Sequence, residues 1–79
     1  MTAKEMFEKL DYIKVKDFNH YILYKDKRLS RYIEFVSNLT GSIKQISCWQ
    51  KGWIFKHNIY LTMDELQAIN KQIEELGWK

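Results

Sequence analysis

The sequence predicts a single small α+β domain spanning residues 1–79: a helix at each end, an antiparallel meander of three strands between them, a fourth strand in prospect, and both helices on one face of the sheet. Three observations carry this. Apolar residues recur at spacings of three and four near both ends, from Ala3 to Leu10 and from Met63 to Leu76. Between them, aromatic and β-branched residues gather in short runs, HYILYK, LSRYIEFV and SIKQISCW, separated by polar turn clusters. The chain has 79 residues, so its core is thin, and three Trp, five Tyr and four Phe must carry much of it.

The opening helix is expected from about Ala3 to Leu10. Thr2 and Glu5 have the spacing of a capping box, with Met1 and Met6 placed as its staple. Ala3, Met6, Phe7 and Leu10 share one face. At two to three turns the helix is too short to stand alone and must dock on a common core. Asp11 to Asn19 reads either as a short edge strand or as an extended loop, with Asp17 and Asn19 supplying turn chemistry. His20–Lys25 is a strand, and Asp26-Lys27-Arg28 is a charged turn. In the next strand, Leu29–Val36, alternation puts Leu29, Ile33 and Phe35 on one face with Arg31, and Tyr32, Glu34 and Val36 on the other. Ser37–Gly41 is a turn, Ser42–Trp49 a third strand, and Trp53–Tyr60 either a fourth strand or an extended lead into the last helix.

The closing helix carries the most complete set of signals. Thr62 and Glu65 form a second capping box, with Leu61 and Leu66 positioned to staple it. Met63, Leu66, Ile69, Ile73 and Leu76 make an apolar stripe that is expected to be plain core. Lys71 and Glu75 are expected to face each other across one turn. Gly77 suits a left-handed stop, after which Trp78 folds back on Ile73.

At TAKEMFEKL near the start and LTMDELQAINKQIEELGW at the end, the chain resembles small uncharacterised proteins encoded by prophages and integrative elements of low-GC Gram-positive bacteria. The resemblance implies a bacterial cytoplasmic setting and an accessory role in a mobile element. It implies no reaction, no cofactor and no site residue.

Little in the sequence points to catalysis. The single Cys48 has no second Cys with which to form an internal disulfide, and Cys48, His57 and His20 lack metal-ligand spacing. A Cys48–His57 nucleophile and base would need a hairpin to join them, whereas a free Cys usually serves as a small hydrophobe. Glu74 and Glu75 are adjacent on a helix and point about 100° apart, so they are not an acid/base pair. No phosphate loop or nucleophile elbow is present. The expectation is a protein that is not an enzyme and uses no cofactor. No apolar run reaches the roughly 18–20 residues of a membrane span, and the N-terminus lacks the layout of a signal peptide, so a cytoplasmic protein without a membrane partner is expected.

Charge is distributed unevenly. Residues 1–10 sum to zero, residues 11–61 to +5 and residues 62–79 to −2. A basic middle can steer an anionic partner. Two kinds of site follow. A protein-interaction site would use Arg31, Trp49 and Trp53, residue types enriched at interface hot spots. Its partner would be a host or element-encoded protein. An open sheet edge also offers pairing with a second copy of the chain. A single-stranded nucleic-acid site would use an open basic and aromatic face with Tyr24, Lys25, Lys27, Arg28, Arg31, Tyr32, Lys44 and Lys56, joined by Lys51.

Overall fold

Thr2 and Thr62 each open a helix in the same way. In the computed structural model, which describes residues 1–28, 30–50 and 61–78, helix α1 runs Ala3–Lys9 and helix α2 runs Met63–Leu76. The Thr2 side chain accepts from the Glu5 backbone N–H, and Glu5 Oε1 accepts from the Thr2 N–H at 2.8 Å. Thr62 and Glu65 repeat the exchange at 3.0 and 2.9 Å. Four first-turn donors are thereby satisfied without tertiary help. Gly77 ends α2 in the left-handed region at φ 73°, ψ 22°. Its N–H donates to Glu74 O and the Trp78 N–H to Ile73 O, the bond pattern of a Schellman stop.

Four strands lie between the helices: β1 Tyr12–Phe18, β2 Tyr21–Asp26, β3 Arg31–Ser37 and β4 Lys44–Gln50. They pair in chain order as one antiparallel meander. The segment whose sequence allowed strand or loop is thus edge strand β1. The alternative strand Trp53–Tyr60 lies outside the described residues, as do Trp53, Lys56 and His57. Gly41, at φ 74°, closes the β3–β4 turn, its N–H donating to Asn38 O at 3.0 Å.

Both helices cover one sheet face. Phe7 of α1 and Ala68 and Ile69 of α2 join a single buried cluster with Tyr12, Ile22, Tyr24, Ile33 and Phe35, which alternate along the first three strands. Phe7 stacks on Tyr24 with ring centroids 3.9 Å apart, and it meets Tyr12 and Phe35 edge-on. Trp78, folded back by the Gly77 stop, lies edge-on to Phe35 at 6.4 Å.

Of the expected α2 stripe, Ile69 is in the core cluster and Ile73 and Leu76 pack against it, but the first turns of the helix differ from the expectation. Glu65, Ala68, Ile69 and Gln72 are buried, while Met63 is 69% exposed and Leu66 also faces solvent. The cause is the sheet surface beneath the helix, which presents two tyrosine hydroxyls. Tyr12 donates to Glu65 Oε2 and Tyr24 to Gln72 Oε1, both at 2.6 Å. Buried hydroxyls require acceptors, so the helix turns Glu65 and Gln72 inward beside Ala68 and Ile69 and leaves Met63 and Leu66 outside. Arg31 joins this layer with Nη1 3.2 Å from Glu65 Oε2. Burial and the Glu65 bond push the Tyr12 hydroxyl well above the ordinary tyrosine range, and burial does the same for Tyr24. Lys71 pairs with Glu74 at 3.6 Å instead of with Glu75. Glu75 Oε2 instead accepts from the Ala3 N–H at 2.7 Å, tying α1 to α2.

Candidate interaction surface on the open sheet face

The face away from the helices is set by strand register. Partners directly across an antiparallel ladder share a face, and here they form three rows. Ile13, Lys25, Tyr32 and Trp49 make the first; Lys16, Leu23, Glu34 and Ser47 the second; Phe18, Tyr21, Val36 and Gln45 the third. A β-bulge between Lys14 and Lys16 makes the first two rows possible on β1. Strict alternation would put Lys16 and Phe18 with Tyr12 and Lys14, on the helix side. The extra residue flips them outward. Leu23, at the centre, is buried yet lies outside the core cluster.

Tyr32 and Trp49 stack face to face across β3 and β4, with centroids 5.1 Å apart and planes 8° from parallel. The Lys25 ammonium sits 5.9 Å from the Tyr32 centroid, and the Lys16 ammonium lies at the same distance from Tyr21. Lys25, Tyr32 and Trp49 therefore form a continuous cation–ring–ring ladder along the first row. Phe18 ends its strand 65% exposed. The Tyr21 hydroxyl donates to Glu34 Oε2 at 2.6 Å.

That bond, with burial as the smaller cause, pushes Tyr21 up to about 12. The folded state therefore holds this proton more tightly than the unfolded chain. Its contribution to stability is whole below the ordinary tyrosine value near 10 and is lost as pH rises through about 12. Glu34→Gln is expected to return the Tyr21 titration toward about 10, followed through the Tyr21 ring signals by NMR. A titration unchanged in this variant would exclude Glu34 as the cause.

The residues expected at a site divide into three groups. Lys25, Tyr32 and Trp49 are on the open face, and Lys27, Arg28 and Lys44 are exposed at the strand ends. Tyr24 and Arg31 are on the covered face instead. Tyr24 is fully buried against Phe7, and Arg31 faces Glu65 with its side chain 15% exposed. The reason is parity: the Tyr24–Ile33–Cys48 row faces the helices, and Arg31 lies two residues before Ile33. Trp53 and Lys56, with Lys51, lie outside the described residues. Sequence reasoning missed Lys16, Phe18 and Tyr21 because the bulge that turns Lys16 and Phe18 outward leaves no mark in composition or periodicity.

Cys48 is half-buried against the core, and burial, reinforced by Glu65, pushes its thiol up, opposing thiolate formation. Among the described residues no group of three His, Cys, Asp or Glu side chains could hold a metal ion, and no helix is long and apolar enough to cross a membrane. Comparison of the chain with protein-family models, with curated proteins and with solved structures returned no match.

Proposed function

We propose that this protein is a non-catalytic, cytoplasmic accessory protein of a mobile element, and that it acts as a small protein-interaction module through the open sheet face. The observation that carries the reading is the Tyr32–Trp49 stack flanked by Lys25. These side chains contribute nothing to the helix-covered core, yet they are held in a fixed geometry. Rigid, amphipathic aromatic groups beside a cation are the residue types that dominate interface energetics. The mobile-element setting rests on the resemblance of the two chain ends.

Ring geometry weighs against the alternative, single-stranded nucleic acid. Base stacking needs open ring faces. Tyr32 stacks on Trp49 and has the Lys25 ammonium 5.9 Å from its centroid, and Tyr21 has the Lys16 ammonium at the same distance. Both arginines are engaged with carboxylates, Arg28 with Asp11 at 3.0 Å and Arg31 with Glu65.

The test is affinity capture from a bacterial host lysate with the wild-type chain and with Trp49→Ala. One stoichiometric protein retained by the wild type and lost with the variant is the expected result. Capture unaffected by the substitution, or a mobility shift with single-stranded DNA in place of any captured protein, would overturn the reading. Circular dichroism checks that the variant keeps its fold.

A further inference from the structure

We infer that the partner presents an acidic, extended polypeptide segment to the open face, an inference that rests on the interaction-module reading above. The basis is an imbalance of charge. Among the described residues Lys14 is 3.2 Å from Asp17, while Arg28, Arg31 and Lys71 each have a carboxylate within 4 Å. Lys16 and Lys25 are the cations this face presents: among the described residues neither has a carboxylate within 4 Å, as is also true of Lys27 and Lys44 at the strand ends, and each is instead poised over an aromatic ring. Among the described residues the one carboxylate on the face, Glu34, is engaged by the Tyr21 hydroxyl. Residues 51–60, KGWIFKHNIY, contain no Asp or Glu.

The two ammonium groups therefore await anions supplied from outside. A carboxylate binding Lys25 or Lys16 completes an anion–cation–ring sandwich, and desolvation by the partner strengthens the cation–ring contact. The spacing fits an extended chain. Lys16 on β1 and Lys25 on β2 are diagonal neighbours in adjacent rows, about 7–8 Å apart by the spacing of such pairs. Alternate side chains of an extended segment project about 6–7 Å apart, close enough for carboxylates two residues apart to reach both flexible lysines. Apolar side chains further along the same face of the partner segment then meet Phe18 or Trp49, which leaves acidic polypeptide favoured over a uniformly charged polyanion.

The probe is a fluorescently labelled peptide of about a dozen residues alternating Glu and Val, the repeat set by strand geometry. Its Lys/Val counterpart and an oligothymidylate of similar length serve as comparisons. Anisotropy titration at low salt is expected to give binding of the Glu/Val peptide alone. Affinity should fall about ten-fold or more in the Lys16→Gln/Lys25→Gln variant and weaken as salt is raised. Equal binding of wild type and variant, or no binding of the acidic peptide, overturns the acidic-partner inference. Tighter binding of the oligothymidylate overturns it too. The two readings fail separately: if lysate capture is lost with Trp49→Ala but survives Lys16→Gln/Lys25→Gln, the module stands and the acidic partner does not. If no capture depends on Trp49, the module reading itself fails.

Discussion

Phe7→Ala is expected to destabilise the protein by about 3–5 kcal/mol, the range for truncating a buried aromatic. The Phe7 ring is fully buried and touches three others: it stacks on Tyr24 and meets Tyr12 and Phe35 edge-on. It is also the main anchor of α1, a helix of seven residues that has no stability of its own. Truncation removes the largest buried side chain that joins α1 to the sheet. The Ala3–Glu75 bond between the helices depends on that docking. Set against a total stability of about 5–15 kcal/mol, the loss is a large fraction. Urea denaturation should show a much lower midpoint, and hydrogen exchange should show α1 losing protection first. Phe7→Leu, which keeps apolar volume but removes the ring pairs, should cost about 1–2 kcal/mol. A midpoint shift for Phe7→Ala no larger than that of Phe18→Ala, whose ring is exposed, would refute the anchoring role.

The parts of this fold that were legible in the sequence are those encoded by neighbours in the chain. Each capping box is a Thr and a Glu three residues apart, and the stop of α2 is one Gly followed by one Trp. The meander follows from apolar runs and turn residues. Alternation also placed Ile33 and Phe35 opposite Tyr32 and Glu34 correctly. The failures all involve information held between elements. The roll of α2 is decided by the hydroxyls of Tyr12 and Tyr24, which lie 53 and 48 residues from their acceptors. An apolar stripe read from α2 alone points to Met63 and Leu66 because it assumes an apolar surface underneath. Strand β2 misled for a related reason. It is central, and YILY is apolar on both faces, so nothing local tells Tyr24 inside from Tyr21 outside. The candidate surface was therefore readable in kind, basic and aromatic, but not in membership.

Glu65→Ala is expected to cost about 3–5 kcal/mol, as when one partner of a buried ion pair is removed. One carboxylate serves three groups. Its Oε2 accepts from the Tyr12 hydroxyl at 2.6 Å and lies 3.2 Å from Arg31 Nη1, while Oε1 accepts from the Thr62 backbone N–H at 2.9 Å. Alanine strands the Tyr12 hydroxyl in a site where that side chain is almost fully buried, a loss of about 1–3 kcal/mol by itself. It also opens half of the α2 capping box and takes the carboxylate away from Arg31. Graded variants separate these contributions. Tyr12→Phe removes the hydroxyl and leaves both other contacts, so it should cost about 1–2 kcal/mol. Glu65→Gln keeps one acceptor oxygen, enough for Thr62 or Tyr12 but not for both, and removes the charge facing Arg31, so it should fall between Tyr12→Phe and Glu65→Ala. Chemical denaturation of the three variants gives the ordering directly. If Glu65→Ala costs no more than Thr62→Ala, Glu65 is only a helix cap and the buried Tyr12–Glu65–Arg31 layer does not set the roll of α2. If the expected ordering holds, the same residue that starts the closing helix also fixes which of its faces meets the sheet. The open face, with its Lys25–Tyr32–Trp49 ladder, is then displayed on a sheet whose opposite side is locked by polar contacts as well as by packing.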